Sequence, residues 1–414
     1  MIRRHLFYKL VDHLPKREFS IVTGPRQTGK STLLKQIEEH CRREGLPTVF
    51  LNLENRTLLA DIDSNPLNLI RYLPGEKRRI IVFIDEIQYL SDPSNSLKLI
   101  YDEHSQRLKI VATGSSAFYT DNRFKDSLAG RKRIFHLLTC SFREYLEISG
   151  KQEMVEELNR ISSARDYKTI FIDYLRIELE NYLVYGGYPA VISETDKQEK
   201  ISRLKEIRDS FLKRDIQDSG AVNENAFYNL FRILASQTGN LVNVNELSAT
   251  LRIKHETVSS YLNILRKCFH ISLAKPWFNN LRKELVKMPK VFLLDNGMRN
   301  CLLNNFQPFI QRIDKGELWE NMVSRLLIDR YGDDSVFFWR TTAGNEVDFV
   351  LPHNENLEAI ETKLDQRMIN RKKYRIFQEN YPAFDLRFLW LYPFDEDFFR
   401  RIGMPDGALP RPES

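Results

Sequence analysis

At 414 residues the chain is long enough for two to four domains rather than one core. Hydrophobic residues make up 42% and charged residues 29%, which excludes a disordered or low-complexity protein and describes a soluble globular one. A net charge of +6 permits a nucleic-acid partner without requiring one.

Cys41, Cys140, Cys268 and Cys301 are isolated, with no C-x-x-C pair, which argues against zinc and a disulfide framework and fits a reducing cytoplasm. The longest strongly apolar run, Ile80 to Ile84, ends in two carboxylates, far short of a membrane span. Met1 to His5 is followed by no apolar signal core. The expectation is a cytoplasmic protein with no membrane partner.

In chain order, Phe19 to Thr23 reads as a strand and Lys30 to Glu44 as a helix striped by Leu33, Leu34 and Ile37. Between them runs Gly24-Pro25-Arg26-Gln27-Thr28-Gly29-Lys30-Ser31, a G-x-x-x-x-G-K-S loop in strand–loop–helix context. Glycines turn backbone N–H groups toward phosphate oxygens, and the helix N-terminus adds positive potential. The loop and Thr32 form the expected nucleotide-binding set, with Lys30 reaching the β- and γ-phosphates and Ser31 ligating Mg²⁺.

Thr48 to Leu53 is a second buried strand, and Ile80 to Ile84 a third that ends in Asp85-Glu86. This is a Walker B pattern: Asp85 orients Mg²⁺ through water or through Ser31, and Glu86 polarises the attacking water. Lys109 to Ser116 is a fourth strand, whose Thr113 or Ser115 is either a γ-phosphate sensor or a helix cap. Arg131 or Arg133, in the basic turn Leu128 to Arg133, either reaches a phosphate in cis or across a subunit interface, or is simply solvated. No guanine-type N-K-x-D occurs, which favours adenine.

Glu153 to Ile161, Tyr167 to Tyr182 and Lys200 to Ile216 have helical spacing and read as a lid, with a turn at Gly186 to Pro189. Phe227 to Gln237, Glu246 to Leu251 (capped by Asn245) and Glu256 to Cys268 read as three helices, followed by β-rich His270 to Lys275 and Lys290 to Asp295. Arg282, Lys283 and Lys287 lie between those strands. The order fits a winged helix-turn-helix, a DNA-contacting module or one used for packing or protein contact.

Further on, Trp319, Met322, Val323, Leu326 and Leu327 stripe a helix that also carries Glu320. Val336 to Trp339, Glu346 to Leu351, Leu357 to Thr362 and Leu386 to Tyr392 read as strands, and Arg401 to Ser414 as a loose tail. Period-2 geometry puts Glu361 and Lys363 on one face, and a hairpin brings Asp348 beside them. D-x(n)-E-x-K is the signature of the restriction-endonuclease-like fold, though short enough to arise by chance. Asp348 and Glu361 suit Mg²⁺, Lys363 suits activation of water and charge stabilisation, and Glu320 fits the extra acid such domains carry.

Taken together, these residues resemble a family of prokaryotic ATPases that join an AAA-like P-loop domain to a C-terminal domain catalogued as DUF4143. The matching stretches are the P-loop, Phe83-Ile84-Asp85-Glu86-Ile87-Gln88, Thr113-Gly114-Ser115-Ser116, Leu128-Ala129-Gly130-Arg131, Ser141-Phe142-Arg143-Glu144-Tyr145, Tyr185-Gly186-Gly187-Tyr188-Pro189 and Lys213-Arg214-Asp215-Ile216. Asn345 to Val350 and Ile360 to Lys363 match as well, while Cys140 stands where a proline is expected. The resemblance implies ATP binding and hydrolysis.

The expected fold is α/β, with a P-loop AAA-like parallel sheet domain (1–150), a helical lid (151–222), a winged helix-turn-helix (223–304) and a restriction-endonuclease-like domain (305–414). The expected function couples ATP or ADP state to DNA contact and a Mg²⁺-dependent nuclease-like end domain, with a homo-oligomer as one candidate assembly. The alternatives are a non-catalytic ATP-dependent switch with a vestigial nuclease fold, or an interaction protein that never touches DNA.

Overall fold

The computed structural model describes residues 2–75, 78–114, 128–219, 223–278, 288–353 and 356–402. The chain packs as two compact units, one formed chiefly by Met1–Thr139 and the other by Cys140–Asp209, Val222–Arg266 and His270–Ser414.

Among the described residues of the first unit, a five-stranded parallel sheet has the order β2-β3-β4-β1-β5. Its strands are β1 (Phe19–Thr23), β2 (Thr48–Asn52), β3 (Ile80–Asp85), β4 (Leu108–Thr113) and β5 (Lys132–His136). β4 lies between β1 and β3. Alternate residues of β3 serve opposite cores: Ile80, Val82 and Ile84 join one cluster, Ile81 and Phe83 the other. On the second face lie Leu33, Leu34 and Ile37 of α2 (Lys30–Arg43), each burial worth about 1.5–3 kcal/mol. α1 (His5–His13) covers the same face, while α3 (Arg56–Ser64) and α4 (Pro93–His104) complete the layers.

The expected basic turn at 128–133 needs correction. Lys132 and Arg133 open β5, which pairs in parallel with β1 from Phe19↔Lys132 to Thr23↔His136.

The second unit begins with α5 (Phe142–Ile148), α6 (Gln152–Ser163), α7 (Ile172–Tyr185), α8 (Pro189–Ile192) and the first part of α9 (Lys197–Ser219), whose residues from Ser210 on count with the first unit. Ser141 caps α5 reciprocally with Glu144, a capping box. The Cys140 position is more than a turn. Its N–H donates to Gly187 O at 2.7 Å, a bond that proline could not make, and its carbonyl accepts from the Tyr182 hydroxyl at 2.8 Å. A side chain at Gly187 would meet Cys140 O at 2.3 Å, so the Gly-Gly pair serves close backbone packing.

Next come α10 (Glu224–Ser236), α11 (Val244–Leu251) and α12 (His255–Lys267), then the antiparallel pair β6 (Ile271–Pro276) and β7 (Lys290–Leu293). The expected cap of the middle helix shifts by two: Asn243 accepts from the N–H groups of Asn245 and Glu246, and Asn245 lies inside the helix. After α13 (Asn296–Leu303) and α14 (Lys315–Tyr331) follow β8 (Phe337–Arg340), β9 (Glu346–His353), β10 (Asn356–Asp365), α15 (Arg375–Asn380), β11 (Asp385–Tyr392) and α16 (Glu396–Ile402). Arg401 and Ile402, expected in a loose tail, belong to α16; residues 403–414 lie outside the described ones.

Among the described residues, one six-stranded sheet runs β11-β10-β9-β8-β6-β7. The hairpin expected as a wing therefore shares a sheet with the end-domain strands, and the boundary proposed at 304/305 crosses that sheet. At its other end the unit closes on the helices expected as a lid. Glu396 accepts from Thr169 N at 2.9 Å and pairs with Lys168 at 3.2 Å. No described helix is long and apolar enough to cross a membrane.

Candidate functional site

The loop between β1 and α2 is shaped by backbone conformations that side chains disfavour. Gly24 has φ 154° and Gly29 has φ 90°, while Gln27 takes a left-handed φ of 61°. A Cβ at Gly24 would lie 2.1 Å from Leu137 O, so only glycine lets the loop lie against the strand-end backbone. Thr28 closes the loop through its hydroxyl to Pro25 O at 2.9 Å. Arg4, from the segment before α1, braces it: its guanidinium donates to Thr28 O and Leu138 O, each at 3.0 Å. Sequence reading missed Arg4, because no local pattern connects it to the loop.

Lys30 is buried, and its ammonium donates to Gly24 O at 3.0 Å and Pro25 O at 2.7 Å, which holds the charge over the loop. Ser31 Oγ donates to Asp85 Oδ1 at 3.2 Å, so the end of β3 meets the start of α2. The same Asp85 oxygen accepts the Thr113 hydroxyl, and Thr113 Oγ1 accepts from Glu86 N at 3.1 Å. Glu86 lies just past β3 at φ 60° and accepts from Gln88. Thus Ser31, Asp85, Glu86 and Thr113, drawn from three strand ends, are joined by hydrogen bonds, and Lys30 precedes Ser31 at the start of α2. Ser31 and Asp85 offer hard oxygens close together and fit Mg²⁺.

Pro25, Arg26 and Thr32 lie in the loop and the first turn of α2. Ser115, the second sensor candidate, lies outside the described residues. Arg131 makes two bonds to Asp102, at 2.7 and 3.3 Å, and Arg133 stacks over the Phe135 ring at 5.4 Å.

The second expected site lies on the β9–β10 hairpin. Its register sets Ile360 opposite Phe349, and the next residues inward are Glu361 and Asp348. Asp348 Oδ2 accepts from Thr362 N and Thr362 Oγ1 at 2.8 and 2.7 Å. Glu361 accepts from Tyr374 OH at 2.8 Å and from Asp348 N at 3.3 Å, and pairs with Lys363. The structure therefore places Asp348, Glu361 and Lys363 together on this hairpin.

Glu320 and Asp348 both face Lys290, at 3.3 and 3.9 Å, and Lys290 also pairs with Glu346. Burial would deprotonate Lys290, but the Glu320, Asp348 and Glu346 carboxylates hold its ammonium firmly protonated. Burial and then the Asp348 charge push both Glu320 and Glu361 above the ordinary glutamate range. Among the described residues no group of three or more His, Cys, Asp or Glu converges in a way that could hold a metal. With an ammonium among the acids, the residues here do not fit Mg²⁺. Lys290 and Glu346 were not among the expected site residues.

On α12, Glu256, Ser259, Ser260 and Asn263 are exposed, while Arg266 is bonded to Asp333 and Asp334 at 3.3 and 2.8 Å. Arg282, Lys283 and Lys287 lie outside the described residues.

Residues 16–146 match the family model of an AAA domain, 176–308 that of domain of unknown function DUF8612, and 315–404 that of domain of unknown function DUF4143. An uncharacterized protein of Haemophilus influenzae is 26% identical over 314 residues, spanning 72% of this chain and 73% of its own. One from Methanocaldococcus jannaschii is 25% identical over 333 residues, with 75% and 67% covered. One from Mycobacterium tuberculosis is 25% identical over 352 residues, with 84% and 70% covered.

Among solved structures, AMPPCP-bound DnaA from Aquifex aeolicus aligns at 14% identity and TM-score 0.32, covering 64% of this chain and 90% of that one. A DnaA bound to AMPPCP and single-stranded DNA aligns at 12% identity and TM-score 0.32, covering 64% and 88%. The family matches and the parallel sheet agree on an AAA-like ATPase domain followed by a DUF4143 domain.

Proposed function

We propose that this chain binds ATP with Mg²⁺ at the β1–α2 loop, hydrolyses it, and uses the nucleotide state to control its second unit. The observation that carries this reading is the single Asp85 oxygen that accepts from both Ser31 and Thr113, with the Lys30 ammonium held on the loop carbonyls of Gly24 and Pro25. Lys30 and the loop N–H groups bind the phosphates, and Ser31 with Asp85 holds Mg²⁺, which neutralises charge developing on the phosphoryl oxygens. Glu86 accepts a proton from the attacking water, and Thr113 orients Asp85 and the Glu86 backbone.

The test is ATP binding and turnover in wild type, Lys30→Ala and Glu86→Gln. Lys30→Ala should lose affinity by at least about tenfold, as a charge-assisted phosphate contact is removed. Glu86→Gln should bind ATP yet turn it over roughly 10²–10⁴-fold more slowly. Wild-type turnover in Glu86→Gln would overturn the assignment.

DNA contact is a second reading, favoured by the order of α10, α11, α12 and the β6–β7 hairpin. The engagement of Arg266 by two aspartates weighs against a strongly basic recognition helix. DNA affinity measured across salt concentration decides it: a steep fall with salt supports phosphate contact, and no binding leaves protein contact as the role. Mg²⁺-dependent cleavage draws on the juxtaposition of Asp348, Glu361 and Lys363 and is opposed by the poor fit to Mg²⁺; loss of any cleavage in Asp348→Ala would support it.

A further inference from the structure

Four carboxylates meet around the β9–β10 hairpin: Glu320, Glu346, Asp348 and Glu361. Burying so many acids together is strongly unfavourable unless positive charge joins them. In a metal-dependent site a divalent cation is that charge. Here the chain brings its own.

Lys290 stands at the first position of β7 with its side chain only 2% exposed. Its Nζ pairs with Glu346 and faces Glu320 Oε1 at 3.3 Å and Asp348 Oδ1 at 3.9 Å. One oxygen from each of three carboxylates thus lies near one nitrogen. The second oxygens of Asp348 and Glu346 are engaged as well, and so is Glu361. Asp348 Oδ2 accepts twice from Thr362, Glu346 Oε2 accepts from Arg340 at 2.9 Å, and Glu361 is held by Tyr374 and Lys363.

The lysine is also fixed from behind. Its backbone bridges Leu241 and pairs with Ala274 across the hairpin, and Val242 N donates to Pro289 O at 2.8 Å. The stem cannot swing out unless that hairpin edge opens. A Mg²⁺ ion needs oxygens at about 2.1 Å, and at this spot it would meet a positive nitrogen among the same oxygens. Both cations cannot share the cage.

We propose that Lys290 is the resident cation of this cluster, an internal ammonium that takes the place of a divalent metal and locks Glu320, Glu346 and Asp348 around itself. The D-x(n)-E-x-K hairpin is then a charge-satisfied scaffold, and metal-dependent cleavage is not available to it while Lys290 is present.

The test measures Mn²⁺ binding to the full chain without nucleotide, by calorimetry and by the paramagnetic resonance of free Mn²⁺. All proteins carry Lys30→Ala, so that the P-loop contributes equally. With Lys290 present, uptake should be the same with and without Asp348→Asn. Lys290→Met should gain about one Mn²⁺ per chain, with a rise in unfolding temperature on adding Mn²⁺, and Asp348→Asn should abolish that gain. If Lys290→Met does not fold, Lys290→Met combined with Glu346→Gln removes one charge of each sign and gives the same readout. Mn²⁺ bound by the Lys290 protein and lost in Asp348→Asn would overturn the proposal, and needs no Lys290 variant to be seen. So would a folded Lys290→Met protein that gains no Mn²⁺.

Discussion

Thr113 donates its hydroxyl to Asp85 while accepting the backbone N–H of Glu86, so one side chain holds both acids of the β3 end in place. Thr113→Val keeps the shape and removes the hydroxyl. It should leave Glu86 N and one Asp85 lone pair without a partner, at a cost of about 1–3 kcal/mol. Thermal unfolding should show that loss, and ATP turnover should fall more than ATP affinity. Unchanged turnover would remove Thr113 from the site.

Two left-handed glycines separate conformational strain from collision. Gly24 would bring a Cβ to 2.1 Å from Leu137 O, whereas Gly150, at φ 74°, has nothing within 4 Å of its Cβ. Gly150→Ala should cost only about 1 kcal/mol of left-handed strain. Gly24→Ala must displace backbone and should cost more than about 2 kcal/mol, with loss of ATP affinity. Denaturant midpoints for the two variants check this directly, and equal costs would refute the close-approach argument.

Arg131 is held by Asp102 through two hydrogen bonds on its own chain, and that pairing keeps the Asp102 carboxyl below its usual range. A residue so engaged is a poor candidate for completing an ATP site. Arg131→Ala should leave ATP turnover within about twofold of wild type, as expected for a largely exposed ion pair. A mixture of Arg131→Ala with Lys30→Ala chains is the stricter check, since a finger reaching across an interface would show in their combined turnover.

Lys109 lies in β4 with no exposed surface, its Nζ 3.1 Å from His13 Nδ1, and His13 Nδ1 lies 2.8 Å from Ser20 Oγ. Burial first, then Arg79, lowers the Lys109 ammonium to about 7. Between that value and the ordinary lysine range near 10.4, the unfolded chain binds a proton that the folded one does not. Stability from this group therefore rises with pH across that window, by up to a few kcal/mol. His13, lowered to about 4 chiefly by burial, adds a rise of the same sign between there and about 6.5. Lys109→Met should flatten the upper rise, read as the difference between the wild-type and variant unfolding free energies from pH 7 to 10. Parallel curves would show that Lys109 keeps its charge in the fold.

The sequence alone settled what depends on local backbone chemistry. G-x-x-x-x-G-K-S requires a loop of unusual φ angles running into a helix, and an apolar strand that ends in Asp-Glu puts its acids at the edge of a sheet; both follow from near neighbours. The period-2 spacing of Glu361 and Lys363, with a turn before them, fixed their meeting with Asp348 for the same reason. What the tertiary structure decided were partnerships between residues far apart in the chain. Nothing near Arg4 signals that it braces Thr28 and Leu138, and nothing near Lys290 marks it as more than the start of a strand. A buried ammonium is costly alone and is held only once Glu320, Glu346 and Asp348 arrive from another helix and strand. Whether those acids meet a metal or a lysine is a matter of three-dimensional charge balance, and only the folded sheet brings the charges within reach.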